Sequence, residues 1–211
     1  MTEGLADLGR VIDEGDVLGA SFNDATRCFR LHLAILAHPK GDGAAQPERV
    51  VLFNGVGRVL AQLRPIEYDV IMSERSGHEI RVPRESAAIV PIGSVAELNE
   101  WLHRFEGTLY SQPFPMIDRP EPPAWCSAPS IDIGVGDPQA HNLELWFDEK
   151  PSASALWLRL FVTFERVDVF DEAGVAESVA DLIAEVDAWW RDMREGRTHG
   201  QFGVVPGPSD D

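Results

Sequence analysis

The sequence predicts an α+β protein, an antiparallel sheet built from two tandem strand-rich units that are each followed by a helix. Several segments alternate apolar and polar residues, as NLELWFDE does at 142–149, and such alternation is typical of half-buried strands. After residue 178 the apolar spacing changes to three and four residues, which indicates an amphipathic helix. Short motifs also recur in the same order in both halves, which predicts an internal duplication.

The recurring motifs divide the chain into two units. The matches are VLGASF at 17–22 with IDIGVG at 131–136, FRLHL at 29–33 with NLELW at 142–146, LFNGVGRV at 52–59 with LFVTFERV at 160–167, and SVAEL at 94–98 with SVADL at 178–182. We therefore expect a single domain, 1–211, with repeat one at about 15–107 and repeat two at about 128–196. Neither unit alone offers a large core, so we expect the two to form one body.

The first unit is preceded by a short apolar pattern and ends in a helix. Residues 2–13 are expected to form a short helix. At the end of the unit, Ser94 is a predicted N-cap because its side chain can accept a hydrogen bond from an orphan backbone N–H. The apolar stripe of that helix consists of Val95, Leu98, Trp101, Leu102 and Phe105.

The second unit shows the same change from strand to helix. ALWLRLFVTFERVDVF at 155–170 is rich in β-branched and aromatic residues, and its apolar face switches near Glu165 and Arg166. That switch predicts a bulge or a join between two strands. DEAG at 171–174 supplies a turn, and Ser178 with Asp181 resembles a capping box. The helical stripe is Val179, Leu182, Ile183, Val186, Trp189, Trp190 and Met193.

A proline-rich connector at about 111–125 separates the units, and a segment without periodicity at about 197–211 follows them. The connector holds five prolines, each of which fixes φ and removes a backbone donor. Phe114, Met116, Ile117 and Trp125 make it too apolar for a solvated linker. We expect it to lie as a strap across the sheet and the final segment to be loose.

The net charge of the chain indicates which classes of molecule it is expected to bind. The chain carries 35 acidic and 18 basic residues, for a net charge of −17. Such a surface repels phosphate backbones and anionic lipid, so nucleic acid and membranes are not expected as partners, whereas a basic protein would be attracted. No leader, membrane span or disulfide framework is evident, and only Lys40 and Lys150 are lysines. These features predict a cytoplasmic protein from a GC-rich bacterium.

The pair Gly55 and Gly57 raises an alternative, a nucleotide-binding turn. RVVLF at 49–53 reads as a strand, and Glu74 follows Gly55 by 19 residues, near the spacing of a ribose-binding acid. However, Leu60 stands where close packing requires a small residue, and Pro65 limits the helix that the motif needs. We therefore expect the glycines to serve a bulge or turn, because glycine adopts positive φ without a steric penalty.

No catalytic or metal-binding constellation is evident, so no catalytic residue, metal or cofactor is predicted. The six histidines show no zinc-helix spacing, and no Cys-x-x-Cys completes a ligand set. Cys126 has no nearby base that would activate it as a nucleophile.

Aromatic residues give the strongest indication of a binding surface. Trp146 and Trp157 alternate with the leucines of their strands, and Phe161 follows with the same parity. With Asp148 and Glu149 beside them, they are predicted to form a partner-binding site on the sheet face opposite the helices. The alternative is that the proline-rich connector covers this face.

The short strands with Leu-x-Leu at 31–33 and 143–145, the acidity and the compact size resemble those of bacterial immunity proteins, which neutralise cognate toxins. The resemblance lies in the general pattern over most of the chain, and it implies a non-catalytic protein that binds a basic protein. The alternative is a small-molecule binding protein or enzyme with a pocket between sheet and helices, which would use Gly55, Gly57 and Glu74.

Overall fold

The computed structural model describes residues 4–38, 47–72, 79–85, 88–105, 116–118, 120–134, 139–148 and 156–196. The predicted α+β class is confirmed, and the antiparallel strands are distributed between two sheets. The segments 111–115 and 197–211, predicted as part of the connector and as a loose tail, lie outside the described residues.

The elements follow the same order in both halves of the chain. The first half contains α1 (Leu5–Glu14), β1 (Asp16–Asn23), β2 (Cys28–Ala34), β3 (Glu48–Asn54), β4 (Arg58–Met72), β5 (Glu79–Glu85) and α2 (Val95–Arg104). The second half contains β6 (Met116–Ile117), a 3₁₀ turn (Ala124–Ser127), β7 (Ile131–Gly134), β8 (His141–Asp148), β9 (Leu156–Phe164), β10 (Arg166–Asp171), β11 (Ala176–Glu177) and α3 (Val179–Arg194). Apart from α1, β6 and the 3₁₀ turn, the described residues of each half form five strands and then a helix. This is the order that a duplication predicts, and the duplication itself remains a prediction.

Each sheet contains strands from both halves. The first sheet has the order β1-β2-β3-β10-β11, and the second has β5-β4-β9-β8-β6 with β7 also paired to β4. β3 leads into β4 and β9 leads into β10, so these two stretches cross together from one sheet to the other. At this corner Asn54 pairs with Arg166 on one side and Arg58 pairs with Thr163 on the other. The predicted join near Glu165 is therefore confirmed, because β9 ends and β10 begins there.

The core lies between the inner faces of the two sheets and the helices. Phe53 of the first sheet meets Phe164 of the second with ring centroids 5.0 Å apart, and Phe105 after α2 meets Phe147 of β8 at 6.1 Å. Alternation along the strands explains this arrangement, because every second side chain faces the same side. The inner-face residues that are almost fully buried include Phe29, Leu31, Leu33, Val51, Val59, Leu63, Leu143, Leu158, Leu160 and Val162.

Helices α2 and α3 both begin at the serine N-caps that the sequence predicts. The Oγ of Ser94 accepts a hydrogen bond from the Glu97 backbone N–H at 3.1 Å, and Ser178 accepts one from Asp181 at 3.0 Å. Helix α2 also covers the edge of the first sheet. The Asn99 side chain accepts from the Phe22 N–H and donates to the Phe22 carbonyl, both at 2.8 Å, as a neighbouring strand would.

A buried ion cluster joins α3 to the first sheet. Arg49 of β3 is 1 % exposed and donates from Nε to Glu177 at 2.6 Å and from Nη2 to Glu185 of α3 at 2.5 Å. The two carboxylates satisfy a guanidinium that would otherwise be costly to bury. Arg49 therefore ties together a central strand, the edge strand β11 and a helix.

Candidate functional site

The outer face of the second sheet carries aromatic side chains among its polar ones. A sheet face that only contacts solvent is usually polar. Antiparallel pairing places directly opposite residues on the same face. The register sets Gln62 beside Arg159 and Arg159 beside Trp146, and it sets Arg64 beside Trp157. We call the group formed by Gln62, Glu144, Trp146, Trp157 and Arg159 the aromatic–arginine cluster.

Arg159 lies at the centre of this cluster and is 6 % exposed. Its guanidinium carbon is 3.8 Å from the centroid of the Trp146 ring and 5.7 Å from that of Trp157. The two indole centroids are 6.2 Å apart. Burial, with the nearby positive charge of Arg64, lowers the pKa of Arg159 to about 10. Stacking on the electron-rich indole faces stabilises the cation that burial disfavours.

Glu144 fixes two of the tryptophans around Arg159. It is 3 % exposed, and its Oε1 accepts hydrogen bonds from the indole N–H of Trp125 at 2.9 Å and of Trp146 at 3.0 Å. An ionised carboxylate offers only acceptors, and two indoles offer only donors, so the three groups are complementary. The orientation of Trp146 is therefore set before any partner arrives.

Residues 120–130, which we call the strap, lie over the same face. Gln62 donates from Nε2 to the carbonyl of Ala128 at 2.7 Å and to that of Trp125 at 3.3 Å. At the downstream end, Ser130 donates its N–H to the Ala61 carbonyl at 2.7 Å, and its Oγ accepts the Leu63 N–H at 2.8 Å. Part of the predicted connector thus crosses the sheet as expected, and it covers the cluster only partly, because Trp125, Trp146 and Trp157 all stay half-buried.

The structure brings together three of the five residues predicted to bind a partner. Trp146, Trp157 and Phe161 share the outer face, as their parity indicated. Phe161 is only 4 % exposed, so it supports its neighbours rather than offering surface of its own. Asp148 is the last residue of β8, but its side chain, like the whole of Glu149, lies outside the described part of the chain.

The Gly55 turn is filled by the protein itself. Gly55 has φ of 65°, and a Cβ there would lie 2.5 Å from Oε2 of Glu165; at Gly57 a Cβ would lie 2.5 Å from Cγ of Gln139. Arg27, itself at a φ of 51°, donates to the carbonyls of Val56 at 2.7 Å and Gly57 at 2.9 Å. The glycines therefore make room for the corner between the sheets.

This geometry corrects the nucleotide alternative. A dinucleotide fingerprint needs a helix N-terminus after the glycine turn to hold the phosphates. Strand β4 begins at Arg58 instead, so the turn lacks that anion-binding end. Glu74, the predicted ribose-binding acid, lies outside the described residues.

Sequence reasoning missed Gln62, Arg159 and Trp125 as members of the site. Arg159 has the same parity as Trp157 and Phe161, and that signal was available in the printed sequence. Gln62 lies between the glycine turn and Pro65, where the sequence shows no clear strand alternation that would place its side chain on the outer face. Trp125 is 19 residues from its partner Glu144, and no local pattern links the two.

Two features are absent from the described ranges. These ranges hold no group of three or more His, Cys, Asp or Glu side chains placed to bind a metal ion. In the same ranges, no helix has the length and apolar character that a membrane span requires. The chain matches no protein-family model, no curated protein and no solved structure, so the site is interpreted from its own geometry.

Proposed function

We propose that this protein is a non-catalytic, acidic binding protein of the cytoplasm, of the immunity or inhibitor type, which engages a basic protein partner. The outer face of the second sheet is its interaction surface. The observation that carries the proposal is the stack of Trp146 and Trp157 on the buried guanidinium of Arg159, in which the two indoles are half-buried and held in a fixed orientation. Tryptophan and arginine are the residues most enriched among those that dominate binding energy at interfaces.

The charge of the chain supports a basic partner. A net charge of −17 creates a long-range field that draws a positively charged protein and speeds the encounter. The acidic surface therefore raises the association rate, and the tryptophans lower the dissociation rate of the complex. Because salt screens the field beyond about 8 Å at physiological ionic strength, association is expected to slow as salt is added.

The test is affinity capture from lysate of the source cell at low salt, with wild type and two variants compared. Trp157→Ala removes a half-exposed indole of the cluster. Val175→Ala is the matched control, because Val175 is 61 % exposed in the turn between β10 and β11. We expect wild type and Val175→Ala to retain the same basic protein, and Trp157→Ala to retain it at least about 30-fold more weakly, as loss of a dominant contact of about 2 kcal/mol implies.

Two outcomes would contradict the proposal. One is that no basic protein is retained by wild type at any salt concentration. The other is that Trp157→Ala, shown by circular dichroism to be folded, retains the same protein as tightly as wild type does. The second outcome would move the interaction surface away from the aromatic–arginine cluster.

A further inference from the structure

The strap lies on the outer face of the second sheet and is attached to it through hydrogen bonds with side chains of that face, as a peptide is in a peptide–receptor complex. A tryptophan at its centre, Trp125, donates to a buried carboxylate, and two of its carbonyls accept from a buried amide. Around these anchors, Ala124, Ser127 and Ala128 are exposed. Pro123 is buried, and Trp125 and Cys126 are half-buried. The segment is therefore held by specific polar contacts together with limited apolar burial, as is typical of a contact that can open locally.

We propose that the outer face of the second sheet is a receptor for a tight turn that carries a tryptophan, and that residues 123–128 occupy it as an intramolecular ligand. A partner segment of the same chemistry takes their place when the complex forms. This inference rests on the proposed function, since it specifies which segment of the partner the face recognises.

The receptor groups define the chemistry of the occupant. Glu144 requires an N–H or O–H donor at the tip of a flat apolar side chain, and indole meets that requirement. Gln62 requires two carbonyls three residues apart, because it donates to those of Trp125 and Ala128. A 3₁₀ turn brings carbonyls at that spacing to one side. The motif that fits is Trp-x-x-small in a tight turn.

One buried group shows that the strap is not the best possible occupant. The amide orientation of Gln62 is fixed, because its Nε2 faces two carbonyls. Its Oε1 is then a buried acceptor with no hydrogen-bond partner in the described part of the chain, although Gln62 is only 1 % exposed. Buried acceptors are almost always satisfied. A segment that brings a donor to this oxygen would bind the face better than the strap does.

The downstream attachment lets the strap lift without disturbing the sheet. Ser130 is bonded to Ala61 and Leu63 of β4 through its backbone and its side chain, and its carbonyl accepts from the Ile92 N–H at 3.1 Å. These contacts lie beyond Ala128, outside the part that would move. Residues 123–128 can therefore leave the face while Ser130 and β7 stay in register.

The experiment measures binding of the strap sequence in trans to the full-length protein. The probe is a fluorescein-labelled peptide of residues 120–130 with Cys126→Ser, followed by fluorescence anisotropy. We expect Trp125→Ala to bind the peptide at least about tenfold more tightly than wild type, whose site is occupied by its own strap. Adding Glu144→Gln to Trp125→Ala should weaken binding by about tenfold, because the indole N–H then donates to a neutral amide oxygen in place of a charged carboxylate.

Controls separate a specific effect from a folding defect. Trp101→Ala removes a partly buried tryptophan of α2 and should leave peptide binding at the wild-type level. Trp125→Phe keeps an aromatic ring while it removes the indole N–H, so it serves if Trp125→Ala unfolds. A peptide with alanine in place of its tryptophan should not bind to any variant.

Two results would overturn the inference. The first is a folded Trp125→Ala or Trp125→Phe that binds the peptide no better than wild type does, which would make the strap a fixed cover. The second is binding that Glu144→Gln leaves unchanged, which would place the peptide elsewhere. Neither result affects capture of a basic partner through Trp157, so failure of this inference is distinguishable from failure of the proposed function.

Discussion

Two strand arginines, one in each sheet, are both almost completely buried, and different groups lie against them. Arg49 of the first sheet faces the interior and is bound by the carboxylates of Glu177 and Glu185. Arg159 of the second sheet faces outward under the strap and stacks on Trp146, close to the positive charge of Arg64. The carboxylates around Arg49 link elements of the fold, whereas Arg159 supports two half-buried indoles at the outer face.

The largest loss of stability is expected from substitution of Arg49. Arg49→Ala leaves the carboxylates of Glu177 and Glu185 without their guanidinium in a buried setting. We expect a loss of about 3–5 kcal/mol in the free energy of unfolding, measured by urea denaturation followed by circular dichroism. A variant that also carries Glu177→Gln and Glu185→Gln should recover part of that loss. If Arg49→Ala costs under about 1 kcal/mol, the ion cluster does not tie the helix to the sheet.

The next largest loss of stability is expected at Gly55, in the corner where the chain crosses from the first sheet to the second. Gly55→Ala places a side chain at positive φ and against the carboxylate of Glu165. We expect a loss of about 1–3 kcal/mol in the free energy of unfolding. Gly57→Ala is the control, since its backbone is not in the left-handed region and its Cβ would meet only the flexible side chain of Gln139. Equal thermal stability of the two variants would contradict the role given to Gly55.

A smaller effect is expected at Arg159, and this tests the other side of the comparison. Arg159→Met keeps an unbranched apolar chain over Trp146 and removes a cation whose pKa burial lowers to about 10. Because the folded pKa lies below the usual value, holding the charged guanidinium in the folded protein costs stability at every pH below about 10, where the group stays protonated. We therefore expect a change within about 1–2 kcal/mol, mainly from the lost cation–π contact. A loss as large as that of Arg49→Ala would show that the two arginines play the same structural role.

The smallest effect concerns an ion pair at the solvent-exposed side of β4. Arg58 donates to both oxygens of Asp132 at 3.0 and 2.8 Å, and this hydrogen bonding lowers the pKa of Asp132. A lowered carboxyl pKa contributes stability above the unfolded value of about 3.9 that is lost as pH falls through the folded value. Since both side chains are about half exposed, we expect Asp132→Asn to cost at most about 1 kcal/mol at pH 7 and nothing near pH 2. A cost that persists at pH 2 would assign the effect to packing.

Local patterns were sufficient to predict the elements and their orientation. The caps at Ser94 and Ser178, the strand join near Glu165 and the parity of Trp146 and Trp157 all depend on neighbours within a few residues. The segment before Pro65 was harder, because its proline and glycines imitate a turn and a short helix. Pro65 is accommodated inside strand β4, opposite Leu156.

Long-range pairing could not be predicted in the same way. The chain was expected to form a sheet from successive units, whereas β3 pairs with β10 and β4 pairs with β9, across about half of the sequence. The burial of Arg49 depends on Glu177 and Glu185, which are 128 and 136 residues away. The contacts of Glu144 and Gln62 with the strap likewise become visible only after the chain has folded. Such contacts have no local sequence signal.

The exchange of strands at the corner also has a consequence for synthesis on the ribosome. The central strand β3 cannot gain its neighbour β10 until residues 166–171 have been translated. At about 5–20 residues per second, the nascent first half waits several seconds with an apolar edge unpaired. Early folding of the first half is then expected to depend on whether the ribosomal surface or a chaperone covers that edge. A truncated protein that ends after α2 should therefore aggregate.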